Sequence, residues 1–283
     1  MERKKTGHTV VELLIVVGII AILVGLLVPA LSAVKNMAKE TKQKAQFSTI
    51  ELALAAFKND YGDYPPSNWT PAELTGDYCG AQKLSEALLG WDLLGFHPKS
   101  AWRSDGLDAG GGAGTYDPVQ TRDNDGDGVP DTLSERKGPY LELATVSAFK
   151  LGDLFPTGQS TLAPNTYVMC DVFSMKKVVL PDGSTTKAGA PILYYRADTS
   201  RKLIRDMYNA LDNDALVALK LQMDMKEHPL TRADNQYEFF YDYIRDPKIE
   251  ARPWPYRPDS YILISAGADG FYGTNDDIVN FGD

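Results

Sequence analysis

The chain has 283 residues and a net charge of −9, with 43% hydrophobic and 24% charged residues. That is enough for one sizeable core or two small ones, at ordinary globular composition. The acidic balance excludes nucleic acid as a main partner, because phosphate binding needs a basic face.

The first 44 residues depart from that balance. Arg3, Lys4, Lys5, Lys35, Lys39, Lys42 and Lys44 outnumber Glu2, Glu12 and Glu40. The opening "MERKKTG" is short and net positive, which favours a cytoplasmic start. Leu13 to Val34 carries no charged residue. As a helix those residues span roughly 33 Å, about one hydrocarbon core. A secretory signal would have a shorter apolar core, although the small residues of "VPALSAVKNMAKE" keep that alternative open. A plain signal anchor does not account for Glu12, because a carboxylate buried in a bilayer costs on the order of 2–3 kcal/mol.

Beyond the apolar run, Phe47, Ile50, Leu54, Phe57 and Tyr61 fall on one face of a helix, with the charged residues largely elsewhere. This predicts one continuous helix. Its first half lies in a membrane or filament core, and its second half packs on a globular body. Pro29 removes one helix hydrogen bond and can kink it, and Gly18 and Gly25 soften it further. Gly62, Pro65 and Pro66 stop it.

The middle of the chain is loop-rich. Leu84, Ala87, Leu88, Trp91 and Leu94 have helical spacing and predict a second helix over 82–96, with Gly90 inside it and Gly95 at its end. "DGLDAGGGAGTYDP" is a glycine-rich loop without the Lys-Ser/Thr of a phosphate site. "NTYVMCDVF", "KKVVLP", "APILYYRAD" and "SYILISAG" read as strands, "PDGS" as a hairpin turn and "DALVALKLQMDM" as a short helix. The expected fold class is α+β: a long N-terminal helix packed on a mainly antiparallel sheet, with a long loop-rich insertion. Cys79 and Cys170 are permitted a disulfide if the body is exported, with two buried free thiols as the alternative. His8, His97 and His228 are scattered and suggest no zinc site.

Two acidic loops offer oxygen ligands. In "DNDGDGVPD", Asp123, Asp125 and Asp127 alternate, followed by Gly128 and Asp131. That spacing lets a loop wrap one hard cation, as in EF-hand loops, although the twelfth position is Ser134 and Glu135 comes one place late. The second is "ISAGADGFYGTNDDIVN". No nucleophile elbow, zinc-protease motif or nucleotide motif is present, so the chain reads as a non-enzyme.

The segment "KKTGHTVVELLIVVGIIAILVGLLVPAL" resembles the N-terminus of type IV prepilins and type II secretion pseudopilins. The resemblance implies cleavage after Gly7 by a prepilin peptidase and N-methylation of the new terminus, His8. The family glutamate falls at Glu12 and the helix proline at Pro29. Glu12 is then an assembly contact for the α-amino group of a neighbouring subunit, since a buried carboxylate is tolerable when it meets a cation. His8 stands where the family usually has Phe. The "G-x-YP" turn after the helix also resembles pseudopilins. The second acidic loop resembles the C-terminal calcium loop of the major pseudopilin, which implies calcium on Ser265, Asp269, Asp277 and, more loosely, Asp276, though the stretch before Asp277 is shorter here.

The resemblance therefore implies a leader at 1–7, an assembly helix at 8–34, its amphipathic continuation at 35–62 and an extracytoplasmic body at 63–283. It implies a single-pass inner-membrane protein with a periplasmic body. The expected function is a structural subunit of a secretion pseudopilus. Its partners would be the prepilin peptidase, other pilin-type subunits, the inner-membrane secretion platform and the membrane itself, with calcium as cofactor. Two alternatives stand beside it. One is a minor type IV pilin whose body carries a recognition surface with Trp69, Trp91, Trp102 or Trp254. The other is a membrane-tethered hydrolase.

Overall fold

The structure is a computed structural model and describes residues 9–72, 76–107, 115–116, 131–143, 145–155, 161–174, 176–180, 183–224, 227–231 and 237–282. Helix α1 spans Val10–Tyr61. The chain divides into two units within it, Met1–Thr41 and Lys42–Asp283. The share of the helix that belongs to the body thus begins at Lys42, inside the expected 35–62 segment.

In the first unit, Val10–Val28 is long and apolar enough to cross a membrane, with a mean hydropathy of 3.1, and none of it is buried. The helix continues through Pro29 without a break. Loss of one backbone donor leaves the hydrogen bonds of the neighbouring turns in place.

The second unit is built on the last turns of α1. Phe47, Ile50, Leu54 and Phe57 are buried, as their spacing predicts, in a cluster with Leu84 and Leu88. Two glutamines on this helix are also buried. Gln46 Nε2 donates to the Cys170 carbonyl at 3.1 Å, and Gln43 Oε1 accepts from the Val172 amide at 3.0 Å. Gly62 then turns the chain at φ +85° and closes the helix with its amide on the Lys58 carbonyl.

Helix α2 spans Gly80–Leu89, shorter than the 82–96 expected. Gly90 ends it at φ +93°, where a Cβ would stand 2.3 Å from the Gly95 carbonyl oxygen. Trp91 and Leu94 therefore lie outside the helix. Every residue of α2 is buried. Short helices α3 (Asp131–Ser134), α4 (Leu151–Leu154) and α5 (Ile204–Met207) follow, then α6 (Asp214–Asp224) and α7 (Glu238–Tyr243).

Each of the four expected runs holds a strand, three further strands at Ser147–Lys150, Thr185–Ala188 and Ile278–Val279 were not expected, and among the described residues they form three small antiparallel sheets rather than one. β1 (Ser147–Lys150) pairs with β2 (Tyr167–Cys170), and β3 (Lys176–Val179) pairs with β4 (Thr185–Ala188). Between β3 and β4 the Gly183 amide donates to the Leu180 carbonyl at 2.9 Å, while Pro181 and Asp182 of the expected "PDGS" turn lie outside the described residues. β5 (Leu193–Arg196), β6 (Tyr261–Ser265) and β7 (Ile278–Val279) form the third sheet. Both faces of β5 and β6 are covered. Leu193, Tyr195, Ile262 and Ile264 join one apolar cluster, and Tyr194, Tyr261 and Leu263 join the cluster that contains α1. That explains why these strands read as continuous apolar runs rather than alternating ones. The protein is α+β, with an N-terminal apolar helix and small antiparallel sheets.

Candidate functional site

The expected sites fall in three places, and the structure treats each differently. Gly7 and His8 lie outside the described residues, as do Asp123, Asp125 and Asp127. Of Asp131 only its place at the start of α3 is described. Glu135, the late acid of that loop, receives the Lys99 ammonium at 2.8 Å and lies 3.5 Å from His97 Nε2.

Glu12 has a defined partner within its own chain. The Thr9 amide and hydroxyl donate to Glu12 Oε2 at 2.8 and 3.0 Å, and the Glu12 amide donates back to Thr9 Oγ1 at 3.3 Å. This is a reciprocal capping box of the Ser/Thr-x-x-Glu kind, which satisfies donors that the first turn of a helix leaves over. The four-residue pattern Thr9-x-x-Glu12 was the signal for it in the sequence.

The C-terminal loop brings two of the four expected ligands together. Asp276 Oδ2 accepts the Asp269 amide at 2.8 Å, and its Oδ1 accepts the Thr274 hydroxyl at 2.7 Å. Asp269 Oδ1 accepts the Phe271 amide at 2.8 Å. Burial first, and then the neighbouring Asp276 carboxylate, raise the Asp269 carboxyl above its usual range. Asp276 stays below its usual range, because the Thr274 hydroxyl and the Asp269 amide outweigh burial. Gly267, at φ +62°, makes this approach possible: a Cβ there would stand 2.2 Å from the Asp276 carbonyl oxygen.

The other two expected ligands turn elsewhere. The Ser265 hydroxyl donates to the buried Asp171 at 3.0 Å. Asp171 also accepts the Phe173 and Ala190 amides, so Ser265 helps to tie β6 to the end of β2. Asp277 Oδ2 accepts the Gly273 amide at 2.7 Å and the Tyr243 hydroxyl at 2.8 Å. Among the described residues, no group of three or more His, Cys, Asp or Glu side chains converges as a metal cage.

Cys79 and Cys170 are both buried free thiols, so the disulfide that the sequence permitted is not formed. Cys79 sits at the N-cap of α2, and Cys170 ends β2 in the same apolar cluster. Burial pushes the Cys79 thiol up to about 12 and raises Cys170 as well, which keeps both protonated and unreactive.

One polar cluster escaped the sequence reading. Glu86, on α2, is buried and accepts hydrogen bonds from the hydroxyls of Tyr78, Ser100 and Tyr116. Burial raises its carboxyl above the usual range. Its partners stand at positions 78, 100 and 116, so periodicity carries no signal for it. Of the four tryptophans, Trp69 is exposed and the others are half-buried. Trp91 donates to the Ser104 carbonyl, Trp102 stacks on Phe96, and Trp254 lies under Arg252. No family model, curated protein or solved structure matches this chain.

The buried acids make stability depend on pH. Burial raises Asp277 to about 7 and Asp171 to about 6, against an ordinary unfolded value of about 3.9. The folded state therefore holds these protons more tightly than the unfolded chain. Their contribution is complete below about pH 4 and is lost as pH rises through about 6 and 7. Denaturant titrations in chelator should show stability falling by roughly 3–5 kcal/mol between pH 4.5 and pH 7.5. Asp277→Asn, which is neutral throughout, should show a shallower fall.

Proposed function

We propose that this chain is a structural pseudopilin subunit of a type II secretion-like system. The observation that carries the proposal is the bare apolar run Val10–Val28, in which Glu12 is the only charged residue. Such a surface needs a bilayer before assembly and neighbouring copies after it, at about 25 cal/mol for each Å² covered. In this reading a prepilin peptidase cuts after Gly7 on the cytoplasmic side and methylates His8. The basic residues of the leader hold the N-terminus in the cytoplasm, which makes the protein a single-pass inner-membrane protein with a periplasmic body. The pilin-like α+β arrangement is consistent with that use, and assembly on an inner-membrane platform follows from it.

The capping box gives Glu12 a second role, and the two roles can be separated. Before assembly, its carboxylate satisfies the first turn of its own helix. In the filament, its charge meets the α-amino group of a neighbour. Gln preserves a capping box and removes the charge. If pairing with the amine drives assembly, Glu12→Gln and Glu12→Ala both lose pelletable filaments in cells. Filaments at the parental level from Glu12→Gln would leave Glu12 as a helix cap alone.

We further propose that Asp269 and Asp276 hold one calcium ion. Two carboxylates held side by side repel unless a proton or cation lies between them, and hard oxygen donors suit calcium. Ser265 and Asp277, engaged elsewhere, are left out of this ligand set. Calorimetry on the full chain in detergent, after chelation, should show one calcium site. Asp269→Asn should weaken it at least about tenfold, and millimolar calcium should raise the parent's melting temperature but not the variant's.

A further inference from the structure

A buried amine sits against a side-chain amide beside α2. Lys83, on that helix, is only 1% exposed. Its Nζ donates to the Asn68 backbone carbonyl at 2.6 Å and to the Thr70 hydroxyl at 2.8 Å, and it lies 3.3 Å from the Asn68 side-chain oxygen Oδ1. The strand of chain that carries Asn68 is fixed on both sides. Thr70 and Tyr78 exchange two backbone hydrogen bonds at 2.9 Å, which pins it beside the entry to α2. The Ser67 hydroxyl, one residue before Asn68, donates to Asp212.

A lysine amine in water is an ammonium ion and a poor nucleophile, and desolvation activates it. None of the three oxygens on Lys83 Nζ is a carboxylate oxygen. Burial lowers the amine to about 8, against the opposing charges of Glu86 and Asp212. Roughly a tenth of it is therefore neutral at pH 7, with a free lone pair. The electrophile is the carboxamide carbon of Asn68, one bond beyond the oxygen already beside Nζ. Reacting groups held at this range no longer need to find each other by diffusion, which removes much of the entropic barrier.

Asp212 supplies the proton carrier. It lines the same surface cavity as Asn68 and is 3% exposed. Burial raises its carboxyl to about 6. A carboxyl that titrates near neutrality both gives and takes a proton readily.

We infer that Lys83 and Asn68 join in an intramolecular isopeptide bond. Nζ attacks the Asn68 carboxamide carbon, the bond from that carbon to Nδ2 breaks, and Nδ2 leaves as ammonia. The ammonia carries the two carboxamide hydrogens and one hydrogen from Nζ. That hydrogen passes by way of the Asp212 carboxyl, which ends as it began. No oxidant, reductant or further reactant enters. The bond ties the turn after α1 to α2 covalently, between positions 68 and 83.

The test is mass spectrometry of tryptic peptides from the full chain purified in detergent. Trypsin does not cut after an acylated lysine. The parent should give a peptide spanning 59–99, branched between 68 and 83 and lighter than its sequence by one ammonia. Asn68→Ala, at an exposed position, should give 59–83 at full mass, and so should Lys83→Arg. In Asp212→Asn, with its fold checked by circular dichroism, the branched share should fall at least about tenfold. A parent that is cut after Lys83 at full mass would overturn the inference. So would ammonia loss that survives Lys83→Arg, since that marks a cyclic imide of Asn68 alone. An unchanged branched share in Asp212→Asn would overturn the part given to Asp212.

Discussion

The first nineteen residues of α1, apolar but for Glu12, have no cover within the protein itself. Burial of apolar surface is the largest favourable term in folding and association, so a surface this long is sustained only by an environment outside the chain. A bilayer supplies one such environment and a bundle of identical helices another. Glu12 stands at the leading edge of the run, where its capping box with Thr9 gives the carboxylate donors from its own first turn. That local partner lowers the cost of keeping a charge at the head of an apolar helix. It also leaves the carboxylate near the chain's N-terminus, where an incoming cation could compete for it.

The body depends on a different constraint. β5 and β6 are buried on both faces, and the α1 face and the loop-rich remainder pack against them in two apolar clusters. Polar groups drawn into this interior are held by specific partners: Gln46 on the Cys170 carbonyl, Ser265 on Asp171, and Glu86 on three hydroxyls. The C-terminal loop follows directly from β6, so its geometry inherits the position of that strand. Asp171 anchors the strand, and Gly267 lets the loop fold back until Asp269 and Asp276 meet.

The legible parts of the fold were those written in local pattern. The 3-4 spacing from Phe47 to Tyr61 gave the buried face of α1, and β-branched and aromatic runs located β2, β5 and β6. The end of α2 was misplaced because Trp91 and Leu94 continue the helical spacing while Gly90 takes a left-handed φ that breaks it. Lys83 and Glu86 are buried with the rest of α2, which is covered on all sides. The division into three sheets rests on pairings such as Leu193 with Ile264, which no local pattern encodes. At the acidic loop, Asp269 and Asp277, with Asp276 more loosely, were expected as ligands from the family resemblance, and the structure sets Asp276 on the Asp269 amide. The Ser265 hydroxyl donates to Asp171, which lies far away in sequence, so no local pattern carries that contact.

The central claim is that this chain is a processed filament subunit rather than a simple anchored domain. The most direct measurement is the intact mass of its N-terminus, from cells with and without prepilin peptidase. The account predicts a chain that begins at methylated His8 in the first case and at the uncleaved leader in the second. A chain cut beyond the apolar run, or left uncut in both, would contradict it.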